Sequence, residues 1–178
     1  MQERQQLSAK MLELDDHQLL ALWSAACAER VLYLFEAASP SDDRPRAAIE
    51  AARAWARGDL KMTDARKIAF ASHAAARETN SESACLAARA AGHAAATAHV
   101  ATHSPHAAAY AIKAIAKQCS ECKHDELLDA EREWQLLQLP DHLRQTLKNL
   151  HHKKSTRVAD LAFPDGKATW PQPRDFSR

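Results

Sequence analysis

Apolar residues recur at intervals of three and four positions along most of the chain. The first such stretch follows Asp15 and Asp16, either of which can cap a helix, and it extends to about Ala38. Its apolar face comprises Leu19, Leu20, Trp23, Ala26, Cys27, Val31 and Leu34. This spacing is typical of an amphipathic α-helix, whereas a half-buried strand alternates apolar and polar residues. Because β-branched residues are also sparse, the pattern predicts an all-α protein.

Cap and breaker residues divide the rest of the chain into further helices. Pro45 suits the first turn of a second helix, Gly58 suits the position after its end, and Thr63 is predicted to cap the third helix. Ser104 and Pro105 are predicted to start a fifth helix, because proline favours the first helical position. The helices are predicted at about 16–38, 45–57, 64–78, 82–103, 105–118, 125–139 and 141–152.

These helices are predicted to form one domain over residues 15–152, in which six or seven helices stack as antiparallel pairs. A chain of 178 residues is long enough to bury the core of such a domain. Residues 1–14 are interpreted as an N-terminal extension. Residues 153–178 contain Pro164, Pro171 and Pro173 and are interpreted as an irregular tail.

Alanine supplies about two-fifths of the stretch from Ala47 to Ala116, in the centre of the predicted domain. Alanine is the best helix former, and its small side chain lets helix axes approach closely. Gly92, which lies between Ala88 and Ala96 on one face, lets a neighbouring helix come closer still. The central helices are therefore predicted to pack tightly, and the arginines and histidines among their alanines need a separate explanation.

Charge and composition argue against several classes of protein. The chain has 24 Lys and Arg against 23 Asp and Glu, a net charge of +1, whereas general binders of nucleic acid or anionic membranes carry a clear basic excess. The charged N-terminal segment does not resemble a signal peptide, and no long uncharged apolar stretch predicts a membrane span. Four cysteines without an export signal predict a cytoplasmic protein without structural disulfides.

The second predicted helix carries a charged face. Arg46, Glu50, Arg53 and Arg57 follow one another at intervals of three or four residues. This face is either a solvated surface with weak ion pairs or an arginine surface that binds an acidic partner. Trp55 falls on the opposite face and is predicted to pack inward.

A second group of polar residues lies on the third and fourth predicted helices. If the turn near Asn80 makes these helices an antiparallel hairpin, His73 lies near Arg89, and Arg77 and His93 lie in the same neighbourhood. Arginines in a tight scaffold need acidic partners or water. The candidate acidic partners are Glu29, Glu50 and Asp64. The group is either a satisfied structural network or a site for an anion or an acidic partner, because arginine offers a planar fork of donors.

Candidate metal ligands follow at the end of the alanine-rich stretch. His99, His103 and His106 are spaced by four and three residues, and two histidines on one helical face can hold zinc. A predicted helix break precedes the third histidine, so hydrogen-bonded histidines at helix ends are the alternative. Cys119 and Cys122 give half of a zinc or redox motif, without a second pair at suitable spacing.

Catalytic motifs are not found in the sequence. It contains no GxSxG elbow, no glycine-rich phosphate loop and no GxGxxG motif. No catalytic residue and no cofactor are therefore predicted, with zinc as the alternative.

Several segments in a fixed order resemble a family of bacterial all-helical proteins, the immunity-five-like proteins. These segments are AACAERVLYLFE, ASPSDDRPRAAIEAARAWARGD, ARKIAFASHAAAR, AARAAGHAAATAHVATHSPHAAAYAIKA and EREWQLLQLPDHLR, and they cover about residues 20–150. The positions that match the pattern of the family are Asp43, Arg44, Arg46, Arg53, Trp55, Arg57, His73, Arg77, Arg89, Gly92, His93, His99 and His103. Ser104 and Pro105 depart from that pattern, in which a small-residue turn would follow.

The resemblance implies a cytoplasmic inhibitor that binds a protein toxin and carries no established catalytic residues. The leading hypothesis is therefore a toxin-neutralising immunity protein that acts by occlusion, with charged side chains around an apolar anchor. One alternative is a metal- or anion-binding helical enzyme that uses the His and Arg residues. Another is a helical scaffold that forms a homodimer through its alanine faces and binds no small ligand.

Overall fold

The computed structural model describes residues 15–118, 124–144 and 147, and within them it contains helices and no strand. The helices are α1 (Asp16–Ala38), α2 (Arg44–Ala56), α3 (Met62–Glu78), α4 (Glu82–Ala96), a 3-10 helix (Ala101–His103), α5 (Ser104–Gln118) and α6 (His124–Leu137). Residues 141–144 and 147 are also helical. The predicted all-α class is confirmed.

Helix α4 lies at the centre of the bundle and contacts α1, α2, α3 and α5. It can do so because its buried positions are almost all alanine, so that no large side chain holds its neighbours away. Larger core side chains come from the surrounding helices, with Val31 and Phe35 on α1 and Ile49 on α2. Helices α3 and α4 lie so close together that the hydroxyl of Ser72 on α3 donates to the backbone carbonyl of Ala88 on α4 at 2.8 Å.

The helix boundaries confirm most of the cap predictions. Asp15 and Gln18 form a reciprocal capping box at the start of α1. Gly58 follows α2 with a φ of 82°, a conformation that suits glycine. The cap predicted at Thr63 is wrong, because α3 already starts at Met62 and follows Lys61, whose side chain makes no capping bond. Thr63 therefore lies inside the first turn, beside Asp64, which remains well placed for the helix dipole.

The predicted end of α4 is also wrong, since this helix stops at Ala96 rather than near His103. Thr97 accounts for the stop. Its hydroxyl donates back to the carbonyl of His93 at 3.0 Å, and its own carbonyl accepts from the ring of His17 on α1 at 2.5 Å. Val100 is then extended before the short 3-10 helix, so the chain turns sharply from α4 into α5.

A buried polar network joins α6 to α1. Glu131 is 4% exposed and accepts from Arg30 at 2.8 Å, while the indole of Trp23 donates to the carbonyl of Gln135 at 2.6 Å. Arg30 also lies over the ring of Trp134, 4.0 Å from its centroid. Helix α6 packs mainly on α5, and this network fixes its position relative to α1.

Several predictions fall outside the described residues. These are the N-terminal extension 1–14, the tail 153–178, the end of the seventh helix and the pair Cys119 and Cys122.

Cys27 and Cys85 are free thiols, and burial raises the pKa of Cys27. None of the helices in the described ranges is long and apolar enough to cross a membrane.

Candidate functional site

The predicted hairpin of α3 and α4 brings His73 against Gly92. A Cβ atom placed on Gly92 would lie only 2.6–2.9 Å from three atoms of the His73 imidazole. The ring therefore occupies the space that a Cβ atom at position 92 would fill, and it would have to move if Gly92 were replaced. The predicted role of Gly92 in close approach is supported, with an imidazole as the group that approaches.

His93 lies at the centre of four imidazoles, which we call the histidine cluster: His73, His93, His103 and His106. The ring centroid of His93 lies 5.0 Å from that of His73 and 5.4 Å from those of His103 and His106. Its Nδ1 atom faces Nδ1 of His103 at 3.3 Å. Its other neighbour is Tyr110 on α5, whose ring is stacked 5.2 Å away.

Burial keeps the inner imidazoles neutral. The pKa of His73 is lowered to about 4 by burial, and further by the positive charges of Arg89 and Arg77. The pKa of His93 is lowered to about 2, again chiefly by burial and then by the other histidines and Arg89. Burial also lowers the pKa of His103. At neutral pH these three rings therefore add no positive charge to the site.

Positive charge nevertheless surrounds the cluster. Arg77 and Arg89 lower the pKa of His73, and Arg89 also opposes the rise that burial causes in the pKa of Tyr110. No carboxylate of the described residues is among the groups that shift the pKa of His73, His93 or His103. Among the described residues, the imidazoles are therefore surrounded by arginines and not by carboxylates, and the one carboxylate on which Arg77 acts, Glu78, is paired with Arg44.

The acidic partners predicted for these arginines are engaged elsewhere. Glu29 and Glu50 both pair with Arg53, and Asp64 pairs with Lys67. The expectation that they neutralise the arginines of α3 and α4 is wrong, because they lie beside other cations.

The charged face of α2 is an ion-paired surface. Arg46 pairs with Glu36 of α1, and Arg53 pairs with Glu29 of α1 as well as with Glu50. Arg57 pairs with Asp59 at 2.8 Å. Trp55 is half-buried on the ring of His17, 4.7 Å away, in agreement with its predicted inward side. These arginines already have carboxylate partners within the molecule.

The surface beside the histidine cluster carries an exposed aromatic side chain. Phe70 precedes His73 by one helical turn on α3 and is 60% exposed, and Arg66 lies over its ring at 5.6 Å. Arg77 continues the same face one turn beyond His73 and is exposed. Arg66, Phe70, His73 and Arg77 follow one another at helical spacing in the sequence, but this spacing alone does not indicate that Phe70 is exposed to solvent.

The predicted metal ligands do not act as one set. His103 and His106 belong to the histidine cluster, with ring centroids 6.3 Å apart, whereas His99 is exposed on the segment after α4. The early end of α4 separates them, because the spacing predicted for one continuous helix no longer applies. No group of three or more potential ligands in the described ranges has a geometry that could hold a metal ion.

Tyr110 and Lys113 were not predicted as site residues. Tyr110 is buried against His93, and the Nζ of Lys113 lies 5.3 Å from the centroid of its ring. The sequence did contain a signal for both, because they follow His106 at four and seven residues on α5 and so share its face.

The fold and the site define an all-helical protein with a basic, histidine-containing surface and an adjacent exposed aromatic residue. The profile of one family, described as Imm-5 like putative immunity protein, matches residues 10–142. The match covers most of the chain, and the protein therefore belongs to this family. Comparisons with curated proteins and with solved structures gave no match.

Proposed function

We propose that this protein is a cytoplasmic immunity protein that binds a protein toxin and blocks it by occlusion. We further propose that the contact surface is the one formed by α3 and the histidine cluster. Family membership supports a protein partner in general. The choice of surface is carried by one observation: among the described residues, Arg66, Arg77 and Arg89 form no ion pair with a carboxylate, whereas Arg46, Arg53 and Arg57 do. The carboxylate next to Arg77, Glu78, is paired with Arg44 instead.

The chemistry of this surface suits a protein partner. An exposed Phe70 offers an apolar anchor of the kind that dominates binding energy at interfaces. Arg66 and Arg77 flank it and offer planar donor forks for carboxylates. A matching toxin surface would therefore present an apolar pocket with acidic side chains around it. Opposite charges on the two surfaces would also speed their encounter.

The charged face of α2 is the weaker candidate for the same role. Its arginines would have to exchange the carboxylates of Glu29, Glu36 and Asp59 for those of a toxin. Such an exchange gains little, because exposed ion pairs contribute only about 0–1 kcal/mol each. We therefore treat Arg46, Glu50, Arg53 and Arg57 as part of the helix packing and as the source of control variants.

Co-expression tests the proposal in cells. The toxin is the product of a gene adjacent to the gene of this protein, expressed under a separate inducible promoter. The proposal predicts that wild-type protein restores growth and that it co-purifies with a catalytically inactive variant of the toxin. If every adjacent candidate is toxic, and none is neutralised or bound, the proposed function is wrong.

A further inference from the structure

We propose that the histidine cluster and Arg89 form a binding site for one oxyanion group, which the protein takes up together with a proton. The ligand is a carboxylate or a tetrahedral oxyanion such as sulfate. The site can exist whether or not the protein binds a toxin; only the idea that the oxyanion is a side chain of the toxin rests on the proposed function.

The geometry of the ring nitrogens is the first support. Nδ1 of His73 is buried and has no hydrogen-bond partner among the described residues. Nδ1 of His93 and Nδ1 of His103 face each other at 3.3 Å, so they form a hydrogen bond only when one of them carries a proton and the other does not. Each neutral imidazole has one N–H donor for its two ring nitrogens, and protonation adds a second donor. An oxyanion supplies the acceptors that additional N–H donors would need, and an unpaired buried polar group costs about 1–3 kcal/mol.

The distribution of charge is the second support. Arg77 faces the cluster from α3, Arg89 from α4, and Tyr110 and Lys113 from α5. Further titratable neighbours are His99 from the segment after α4, Cys85 of α4 beside Tyr110, and Glu78 at the end of α3 beside Arg77. Each added proton would thus enter a group of positive charges. An oxyanion between the rings and Arg89 would offset this repulsion, because its negative charge lies close to all of them.

The same charges favour an anion over a cation in this site. Neutral imidazoles are good metal ligands, but Arg89 and Arg77 would repel a divalent metal ion at short range. The described residues also offer no set of three ligands in metal geometry. Arginine and protonated histidine, by contrast, both form strong charge-assisted hydrogen bonds with carboxylates and other oxyanions.

The outer histidines of the cluster reach the surface of the protein. His106 is exposed and His103 is half-buried, whereas His73 and His93 lie deeper. A carboxylate at the end of a Glu or Asp side chain, or a small free oxyanion, can approach along the outer histidines toward Arg89. The source of the oxyanion is then either an acidic residue of the toxin or a small ion from solution.

Proton uptake follows from the state of the free site. Its inner rings are neutral at pH 7, since the pKa values of His73 and His93 are lowered to about 4 and about 2. A bound oxyanion raises the pKa of a ring that donates to it. For each proton taken up, affinity therefore falls by up to about tenfold per pH unit between the pKa of the free site and that of the complex.

Calorimetry with sulfate and with acetate tests the inference, because neither ion titrates between about pH 6 and about pH 8. We expect saturable binding that weakens as pH rises, and uptake of about one proton, measured in buffers of different ionisation enthalpy. Arg89→Gln should abolish binding and Arg89→Lys should retain part of it. His103→Gln, at a half-buried position, serves if the Arg89 variants do not fold. Arg57→Gln, an exposed control, should bind like wild type.

Three results would overturn the inference: no saturable binding, binding without proton uptake, or equal loss in Arg57→Gln and in Arg89→Gln. Competition with the toxin identifies the source of the oxyanion. If the toxin displaces sulfate, the group is an acidic residue of the toxin. If the toxin and sulfate bind at the same time, the site binds a free oxyanion and the proposed toxin surface is wrong. If the toxin binds but neither ion does, the oxyanion site is wrong while the proposed function stands.

Discussion

Gly92 and His73 depend on each other. Glycine usually weakens a helix by about 0.5–1 kcal/mol relative to alanine, so its presence in the middle of α4 has a cost. The structure gives the reason, since the imidazole of His73 lies where a Cβ atom of residue 92 would be. The sequence alone indicated close approach at Gly92, but not which side chain approaches.

Gly92→Ala is therefore expected to have opposite effects in two backgrounds. In the wild type it should lower the free energy of unfolding by about 1–3 kcal/mol, because the buried ring must move. In a His73→Ala background it should raise that free energy by about 0.5–1 kcal/mol, because only the gain in helix propensity remains. Urea denaturation of the four proteins measures both effects. Equal changes in the two backgrounds would show that the contact is unimportant.

The buried histidines also make stability depend on pH. The pKa values of His73 and His93 lie at about 4 and about 2 in the folded protein, against 6.5 for the unfolded chain. Below about pH 6.5 the unfolded chain thus binds protons that the folded protein does not. Stability from these groups is complete above that pH and falls as the pH is lowered, by up to about 1.4 kcal/mol per pH unit for each histidine.

Denaturation of wild type and His93→Gln between about pH 7 and about pH 4 checks this dependence. The variant should lose stability less steeply, because it lacks one of the two groups that resist protonation. An identical slope for both proteins would mean that His93 is protonated as easily in the folded protein as in the unfolded chain.

At the scale of helices, local signals and distant contacts determined different features. The hairpin of α3 and α4 was predictable, because the turn near Asn80 and the helical spacing on both sides are local. The end of α4 was not, because Thr97 is bound by the ring of His17, which lies 80 residues earlier in the chain. The pairing of the α2 arginines was undecided for the same reason, since two of their partners, Glu29 and Glu36, lie on α1.

The attachment of α6 should depend on one buried carboxylate. Glu131→Ala removes the partner of both Arg30 and the side chain of Gln135. We expect a loss of about 2–3 kcal/mol, below the largest values for buried pairs because Arg30 is partly exposed and can be solvated. The substitution should also increase the rate of amide hydrogen exchange more in α6 than in α4.

Asp129→Ala is the matched control for α6. Asp129 pairs with Arg132 three residues along the same helix, and both side chains are well exposed. Loss of this pair should cost about 0.5 kcal/mol or less. If both substitutions have equally small effects, the buried network does not hold α6 in place.

On the scale of the whole molecule, two surfaces rich in arginine differ in whether their arginines form ion pairs with carboxylates. The arginines of α2 are paired with carboxylates of α1, α2 and the following loop. Arg66, Arg77 and Arg89 form no ion pair in the described ranges, because the nearby Glu78 is paired with Arg44, and Phe70 is exposed beside them. The sequence predicted both groups as candidates, and only the fold distinguishes the paired surface from the unpaired one.

The affinity for the toxin encoded by an adjacent gene tests this distinction most directly. The measurement compares wild type, the double variant Phe70→Ala/Arg77→Ala and the control Arg46→Ala/Arg57→Ala by calorimetry with an inactive toxin. We expect the first double variant to lose at least about 2 kcal/mol of binding free energy, about thirtyfold in Kd, and the control to stay within about threefold of wild type. The reverse order, or equal loss in both double variants, would contradict the proposed binding surface.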